Sequence, residues 1–303
     1  MAEYISSLPG AVALGLIWGI MAIGVYITYK ILDFADLTVD GSMVTGAAVC
    51  AIIIVAGGSF WLGMLGGFVA GLLCGLLTSI FHTILGIPPI LSGILTQLSL
   101  WSVNLKIMGS KSNISVSPRA FQTLLAQLEV GNALWKLVII CAIVIGLLYL
   151  FFGTELGFSI RATGNNPTMA KAQGINTQTK KVIGLMLSNG LVALSGALLC
   201  QYQGFTDINM GRGAIVIGLC AVVIGEVVIS KISSNFAVRL GGVIIGAIIY
   251  YIVFQSVVFL GLDTDLLKML SAIVVAVFLG VPYLRKHYGK LLKPKKAKLE
   301  EVK

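Results

Sequence analysis

The stretch VIGLMLSNGLVALSGALLCQY, from Val182 to Tyr202, decides what kind of protein this chain is. It contains no charged side chain, and it is as long as the run of about 20 mostly apolar residues that a helix needs to cross a bilayer. The rest of the chain has the same character. Of its 303 residues, 57% are apolar and 11% are charged, whereas a soluble domain carries about 25% charged residues. We therefore expect an integral membrane protein.

Other apolar runs are long enough to predict further spans, and none shows the alternating polarity of a membrane barrel. The predicted fold is an all-α polytopic bundle of about eight to ten transmembrane helices. In this prediction residues 1–285 form one transmembrane domain and residues 286–303 form a basic tail. The predicted spans are 11–29, 43–55, 60–85, 90–108, 134–152, 182–202, 214–229, 241–260 and 268–284.

Two polar or proline-containing interruptions predict broken or re-entrant helices. DFADLTVDGS occupies residues 33–42, and GIPPILSG begins at Gly86. Pro88 and Pro89 cannot continue a helix from the residues before them. Irregular backbone at membrane depth is typical of transport pathways, because protein or a water-filled cavity must satisfy its polar groups. The alternative is that both interruptions are ordinary aqueous loops.

The distribution of charge predicts the orientation. The net charge is +9, and eight of the 21 basic residues follow residue 284. Four more, Arg161, Lys171, Lys180 and Lys181, lie between two predicted spans. Excess Lys and Arg mark cytoplasmic loops, so both segments, and with them the C-terminus, are expected in the cytoplasm. Nine spans then place the N-terminus outside. This clustering at membrane boundaries disfavours nucleic acid as a partner.

The stretch SIRATGNNPTMAKAQGINTQTKK, from Ser159 to Lys181, predicts a short helix with both ends marked. Asn166 is a good N-cap, Pro167 suits the first helical position, and Gly174 suits a C-terminal cap. A helix of about two turns is marginal alone in water. We therefore expect it to dock into a partner protein, the alternative being a helix that lies on the lipid surface.

Three segments resemble a known family. Gly157–Asn176 resembles the cytoplasmic coupling segment of ABC-importer permeases of the branched-chain amino acid and ribose class. DLTVDGS, residues 36–42, resembles DLSVGS with one residue inserted, and AIVIGLCAVVIGE, residues 214–226, resembles AIAAVVIGG with Glu226 in place of Gly. The resemblance spans about Asp33 to Gly280 and is greatest to a subgroup for tryptophan or tyrosine uptake. In the first segment the matching residues are Gly157, Arg161, Ala162, Gly164, Asn166, Ala170, Gly174 and Ile175.

The resemblance implies a permease in the bacterial plasma (inner) membrane, assembled from two copies, with two ABC ATPase subunits below and an extracytoplasmic binding protein that delivers the solute. No GxxxxGK[ST] pattern is present, so the partner would bind ATP and this chain would need neither cofactor nor catalytic residue. Residues 157–178 are named the coupling segment here. Its predicted ATPase-coupling residues are Arg161, Ala162, Gly164, Asn165, Asn166, Pro167, Ala170 and Gly174.

Polar residues inside predicted spans are candidates for the substrate pathway or gate, because burying them in a membrane is costly. Each also has a structural explanation: Ser188 and Asn189 can hydrogen-bond between helices, and Glu226 can pair with Lys231 or Arg239. The predicted pathway or gate residues are Asp40, Gly41, Ser42, Thr96, Asn104, Asn189, Asn209 and Glu226, with Gln97 as a further candidate.

The sequence is also compatible with other functions. The same importer class carries sugars or nucleosides, and fold-level likeness does not decide the solute. An ion-coupled secondary transporter would leave the coupling segment unexplained, and no residue constellation supports a membrane enzyme. The five cysteines and two histidines show no metal-ligand spacing, so no metal site is expected. A weak internal repeat is visible, since Gly41-x-x-Val44-x-Gly46 recurs 172 residues later as Gly213-x-x-Val216-x-Gly218.

Overall fold

The computed structural model describes residues 2–117, 121, 123–125, 130–229 and 235–259, with isolated positions between 269 and 280. The predicted ninth span lies largely outside these residues, and the basic tail and Lys231 lie wholly outside them. A π-helical turn, Ile27–Ile31, continues the first helix. The helices are α1 Ala2–Tyr26, α2 Val39–Val55, α3 Phe60–Thr83, α4 Pro89–Ile107, α5 Val130–Phe152, α6 Glu155–Asn165, α7 Pro167–Ala172, α8 Thr177–Gln203, α9 Ala214–Ile229 and α10 Phe236–Phe259.

The all-α membrane fold is confirmed in the described part of the chain. The first eight predicted spans all fall on helices. Helices α3, α5, α8 and α10, and α1 together with its π-helical turn, are long and apolar enough to cross a membrane, while α2 and α9 are shorter apolar helices. Helix α8 begins five residues before the predicted span, at Thr177, because the Asn176 side chain caps its first turn by accepting a bond from the Thr179 N–H (3.3 Å).

Helices α1 and α8 form the centre of the bundle. Their most apolar windows are 83% and 72% buried, against 22% for α5. Two buried hydroxyls join them: Ser188 donates to the Gly24 carbonyl and Ser195 to the Ile17 carbonyl, both at 2.7 Å. Ser188 therefore has the interhelical role that the sequence offered as its alternative. Such bonds satisfy polar groups that lipid cannot.

Glycines set the close packing of α3 against α8. Gly67, Gly71 and Gly75 are spaced four residues apart on α3, so they share one face of the helix. A Cβ at Gly71 or Gly75 would collide with α8, whereas a Cβ at Gly67 would be crowded by the Gly46 carbonyl of α2 and by Ala197 of α8. On the opposite side of the bundle α1 packs against α10 and α9. Small residues of this kind allow helix backbones to approach in membranes.

The internal repeat predicted from the sequence has a counterpart in the fold. A shift of 172 residues brings α8, α9 and α10 onto α1, α2 and α3 to within about five residues. Each central helix packs against elements of the other half, since α8 contacts α2 and α3 whereas α1 contacts α9 and α10. The two halves are thus interlocked through their first helices.

Helical structure is interrupted at the predicted breaks. The chain leaves the helix at Leu32 and resumes it at Val39, and a second break separates α3 from α4. Gly86 has a positive φ of 69°, and Pro89 begins α4 with Pro88 as its N-cap. Proline is well accommodated at the first helical positions, where its missing N–H is no loss.

Two local elements differ from the prediction. Strands β1, Asn113–Ser115, and β2, Phe205–Asp207, pair antiparallel with Ile114 opposite Thr206. Helical periodicity could not reveal this pairing, because it joins three-residue segments that are far apart in sequence. β1 lies in the polar segment between residues 109 and 131. The sequence of the last part of that segment predicts a short helix, and most of that part lies outside the described residues. Helix α6 was also not predicted as a separate helix.

Candidate functional site

A recess of about 220 Å³ lies where α2, α4 and the turn after β2 meet. It brings together the predicted pathway residues Asp40, Gly41 and Asn104 with the further candidate Gln97. These side chains come from two segments more than 50 residues apart, so only the fold unites them. The remaining lining residues are Val44, Leu98, Trp101, Ile208 and Arg212.

Asp40 links this recess to α9. Its two carboxylate oxygens accept hydrogen bonds from the backbone N–H groups of Gly213 and Ile215, each at 3.0 Å. These donors lie at the start of α9, where backbone N–H groups have no partner within the helix. Asp40 therefore acts as an N-cap supplied from another helix, and its negative charge also suits the positive end of the α9 dipole.

Asn104 organises the neighbouring wall of the recess. Its side-chain oxygen accepts a bond from the Thr45 hydroxyl (2.8 Å), and its amide N–H₂ donates to the Gly41 carbonyl (3.3 Å). Gly41 itself packs against Leu100 on α4. Asn104 is almost fully buried, so these bonds fix the distance between α2 and α4.

Thr96 and Ser42 lie outside the recess lining. Thr96 accepts a bond from Thr78 (3.0 Å), and Thr78 in turn contacts Thr38 (2.7 Å). This chain of buried hydroxyls joins α4, α3 and the start of α2. Ser42 is buried and donates to the Val39 carbonyl in its own helix (3.3 Å).

Asn189 leads to a residue that the sequence analysis did not single out, Asp36. The Asn189 amide donates to the Asp36 carboxylate (2.7 Å), which also accepts the Thr38 N–H (2.9 Å). Asp36 is 1% exposed and lies in the non-helical stretch before α2. The bond therefore ties this break to the central helix α8. The signal was present in the sequence, since Asp36 is the first residue of DLTVDGS.

The last two predicted pathway residues lie apart from the recess. Asn209 is exposed in the turn after β2, where its N–H donates to the Asp207 carboxylate (2.7 Å). Glu226 lies near the end of α9 and forms an ion pair with Lys30 (3.0 Å). In the described residues that ion pair replaces the expected pairing with Arg239, because the π-helical turn brings Lys30 to α9.

The coupling segment forms two helices joined at Asn166. The Asn166 side chain accepts the Met169 N–H (3.0 Å), and Pro167 is the first residue of α7. At the other end Gly174 has a φ of +80°, its N–H donates to the Lys171 carbonyl, and Ile175 donates to the Ala170 carbonyl. These bonds form a Schellman motif, so both ends of α7 are capped.

Gly164 sets the position of α6 against the membrane helices. A Cβ at this position would overlap the Ile31 carbonyl, so the contact requires glycine. The next residue of that turn, Leu32, packs against Gly184 of α8. Ile31 and Leu32 therefore connect α6 to the central helix by direct packing.

The remaining predicted coupling residues divide between a buried and an exposed side. Ala170 is buried, whereas Ala162, Asn165 and Pro167 are exposed. Arg161 does not join this exposed side. Its guanidinium carbon lies 4.0 Å from the ring centre of Phe236 and 5.3 Å from that of Phe152, which anchors α6 to α10 and α5.

Comparison with known proteins agrees with this architecture. Residues 8–280 match the model of a family described as the permease component of branched-chain amino acid transport systems. The chain is 41% identical over 267 residues to a tyrosine transport system permease protein of Clostridioides difficile, covering 88% of each protein. It is 35% identical over 262 residues to an uncharacterised protein of Rickettsia prowazekii, covering 86% of this chain and 92% of that protein.

More distant matches were also found. A fructose import permease of Bifidobacterium longum is 26% identical over 250 residues, covering 80% of this chain and 68% of that one. A metal-chelate type ABC transporter in an inward-facing conformation matches with a TM-score of 0.49 and 15% identity, covering 92% of this chain and 87% of that one. The apolar helices, the interlocked halves and the family match define a multi-pass membrane permease. The chain belongs to the branched-chain amino acid permease family and is the permease component of an ABC transporter.

Proposed function

We propose that this permease imports an amino acid with an aromatic side chain across the bacterial plasma membrane. The observation that carries the proposal is the 41% identity to a tyrosine transport permease along 88% of both chains. The recess is chemically suited to such a solute. Trp101 offers an aromatic face, Arg212 offers a cation for a carboxylate, and Gln97 offers a neutral hydrogen-bonding group.

The coupling segment is proposed to receive motion from a separate ABC ATPase. Helix α7 is capped at both ends, and Met169, Lys171 and Ala172 are exposed on it. A rigid, capped helix transmits a displacement that a flexible loop would absorb. Gly164 lies at the start of the route from this surface to α8, through Ile31 and Leu32.

The proposed contact between the coupling segment and the ATPase also gives the orientation of the protein in the membrane. The end of the bundle that carries α6 and α7 faces the cytoplasm, in line with the basic residues around it. The opposite end, with β1, β2 and Asn209, faces the binding protein that delivers the solute. A second copy of the permease completes the translocation path, and ATP is bound by the partner ATPase.

Sugar import is the second candidate function. The 26% identity to a fructose import permease supports it, although that similarity is much lower than to the tyrosine transport relative. A sugar carries no carboxylate, so it would make no charged bond with Arg212. The two candidates therefore differ in how they depend on this side chain.

The first experiment is purification of the full-length permease from its native cells in mild detergent, followed by mass spectrometric identification of the proteins that accompany it. We expect a P-loop ATPase in roughly equal amount. The matching binding protein is then titrated with tyrosine, tryptophan, fructose and ribose. Absence of any ATPase, with transport under an ion gradient alone, would overturn the importer function. If the binding protein bound fructose but neither tyrosine nor tryptophan, the proposed solute would be a sugar instead of an aromatic amino acid.

A further inference from the structure

A second cavity, here named the Arg161 cavity, lies at the opposite end of the bundle from the recess. It has a volume of about 430 Å³ and is formed where α5, α6 and the start of α10 meet. No predicted coupling or pathway residue other than Arg161 lines it. The lining residues are Tyr149, Leu150, Phe152, Gly153, Thr154, Phe158, Arg161, Asn235 and Phe236.

Among the described residues that line this cavity Arg161 alone is charged, and no described residue neutralises its charge. The Nε atom is buried and has no hydrogen-bond partner among them, and no carboxylate there pairs with the guanidinium. Both nearby rings contact the guanidinium through their faces, which leaves its N–H groups to bind in the guanidinium plane. A buried donor without a partner costs free energy, so the site favours an anionic acceptor.

Burial lowers the pKa of Arg161 below its usual value. Tyr26 opposes this decrease, and a second cation, Arg239, adds to it. An anion bound beside Arg161 would offset both the lost hydration and the repulsion from Arg239. The lowered pKa of Arg161 and its unpaired Nε atom therefore both indicate that the site favours an anion.

The exposed apolar side chains at the rim of the cavity indicate the source of that anion. Leu150 is 68% exposed, Phe158 is 58% exposed and Tyr149 is 48% exposed. Leu150 and Tyr149 belong to the last turns of α5, a helix long enough to span the membrane and the least buried of the candidate spans. An apolar rim beside a buried guanidinium matches a lipid, which brings acyl chains and a phosphate together.

We propose that the Arg161 cavity binds the headgroup of an anionic phospholipid from the leaflet next to α6. The phosphate accepts hydrogen bonds from Arg161, and the acyl chains run along Leu150 and Phe158. The bound lipid then connects α5, α6 and α10 at the point where the coupling segment joins the membrane domain. Arginine suits this role because its fork of donors matches phosphate oxygens.

Native mass spectrometry of the full-length protein tests the proposal. The purified permease is incubated with equal amounts of phosphatidylglycerol and phosphatidylcholine. We expect the wild type to retain one phosphatidylglycerol per chain under conditions that remove phosphatidylcholine. Arg161→Gln is expected to retain about tenfold less, as for the loss of one charge-assisted contact. Lys171→Gln removes one exposed charge from the same end of the protein and is expected to retain the lipid like the wild type.

The proposal would be overturned if wild type and Arg161→Gln retained equal amounts of phosphatidylglycerol. It would also be overturned if Arg161→Gln and Lys171→Gln lost this lipid to the same extent. Displacement of the lipid by millimolar inorganic phosphate would assign the site to a free anion instead and would also overturn it. A photoactivatable phosphatidylglycerol gives a second readout on the wild type, independent of how the variants fold. Its crosslinks are expected in peptides containing residues 149–161 or Phe236, and crosslinks confined to other helices would contradict the site.

Discussion

Gly164 controls the position of the coupling segment through the side chain it lacks. A methyl group there meets the Ile31 carbonyl, which is backbone and cannot rotate away. We expect Gly164→Ala to destabilise the protein by about 1–3 kcal/mol, as overpacking does. The measurement is the thermal unfolding midpoint in detergent, together with solute-stimulated ATP hydrolysis by the assembled transporter.

The control for this substitution is Gly146→Ala in α5. A Cβ at Gly146 meets nothing within 4 Å, and its backbone is helical. Ala is favoured over Gly in a helix by up to about 1 kcal/mol, so stability should stay equal or rise. If both variants behaved alike, the close contact at Gly164 would have no role in stability.

Asp40 is expected to matter for stability as the cap of α9. Asp40→Ala removes both acceptors and should cost about 0.5–2 kcal/mol, the usual range for a lost N-cap. Asp40→Asn keeps one side-chain oxygen and should cost less. Chemical unfolding of the wild type, Asp40→Asn and Asp40→Ala ranks their free energies of unfolding. A larger loss of stability for Asp40→Asn than for Asp40→Ala would contradict the capping role.

Local and distant partners differ in how well the sequence predicts them. The capping roles of Asn166 and Gly174 were predicted because their partners lie within a few residues. The partners of Asp40 lie more than 170 residues away, and its role as a cap became visible only in the fold. Arg161 was assigned to the docking surface, whereas in the structure it stacks on Phe236.

At the scale of elements, α7 depends on its N-cap. Asn166→Ala removes the bond to the Met169 N–H and should cost about 1 kcal/mol of local stability in a helix of six residues. We expect faster amide exchange in α7 and weaker retention of the ATPase during purification. The matched control is Asn113→Ala, the same substitution at an exposed residue of β1 that is not a predicted coupling residue. Equal ATPase retention by the two variants would sink the docking role.

The Lys30–Glu226 pair joins the ends of α1 and α9. The Lys30 side chain is 47% exposed and that of Glu226 is 36% exposed, so the coupling energy should be only about 0.2–1 kcal/mol and should fall with salt. The test is a double-mutant cycle with Lys30→Glu, Glu226→Lys and the combined reversal, measured by thermal unfolding. The reversed pair should recover what each single variant loses. Strictly additive losses would show that the pair does not contribute.

Element boundaries were predictable where apolar runs are long and were missed where tertiary contacts define them. Helix α6 has a polar composition, and the Thr154 cap that starts it was not recognised. Strands β1 and β2 exist because α4 and α8 bring their following segments together. The periodicity of a single segment reveals neither the cap that starts α6 nor the pairing of β1 with β2.

At the scale of the whole molecule, the proposed orientation predicts which residues face each side. Lys111 follows α4 and Lys171 lies on α7, at opposite ends of the bundle. In intact spheroplasts a membrane-impermeant maleimide should label Lys111→Cys and should label Lys171→Cys only after permeabilisation. The five native cysteines are buried, so background labelling should be low. The reverse pattern would invert the topology.

The all-α fold and the helices of the first eight predicted spans followed from hydropathy, because the bilayer leaves few alternatives for an apolar chain. The interlocking of the halves did not follow from it. Hydropathy identifies a helix as apolar, but it does not distinguish a face that packs against lipid from a face that packs against protein. The glycine positions carried that information, since Gly71 and Gly75 mark the face that meets α8 and Gly67 lies where α3 meets both α2 and α8.

This interlocking has a consequence for biosynthesis. Helix α3 ends at Thr83, whereas its main neighbour α8 ends at Gln203. At 5–20 residues per second the ribosome needs roughly 10 s to make the intervening chain. During that interval the part of the α3 face that carries Gly71 and Gly75 lacks α8, the helix it packs against in the folded protein. The insertion machinery or surrounding lipid must hold the first helices until α8 emerges, so the nascent chain is most vulnerable to quality control in this window.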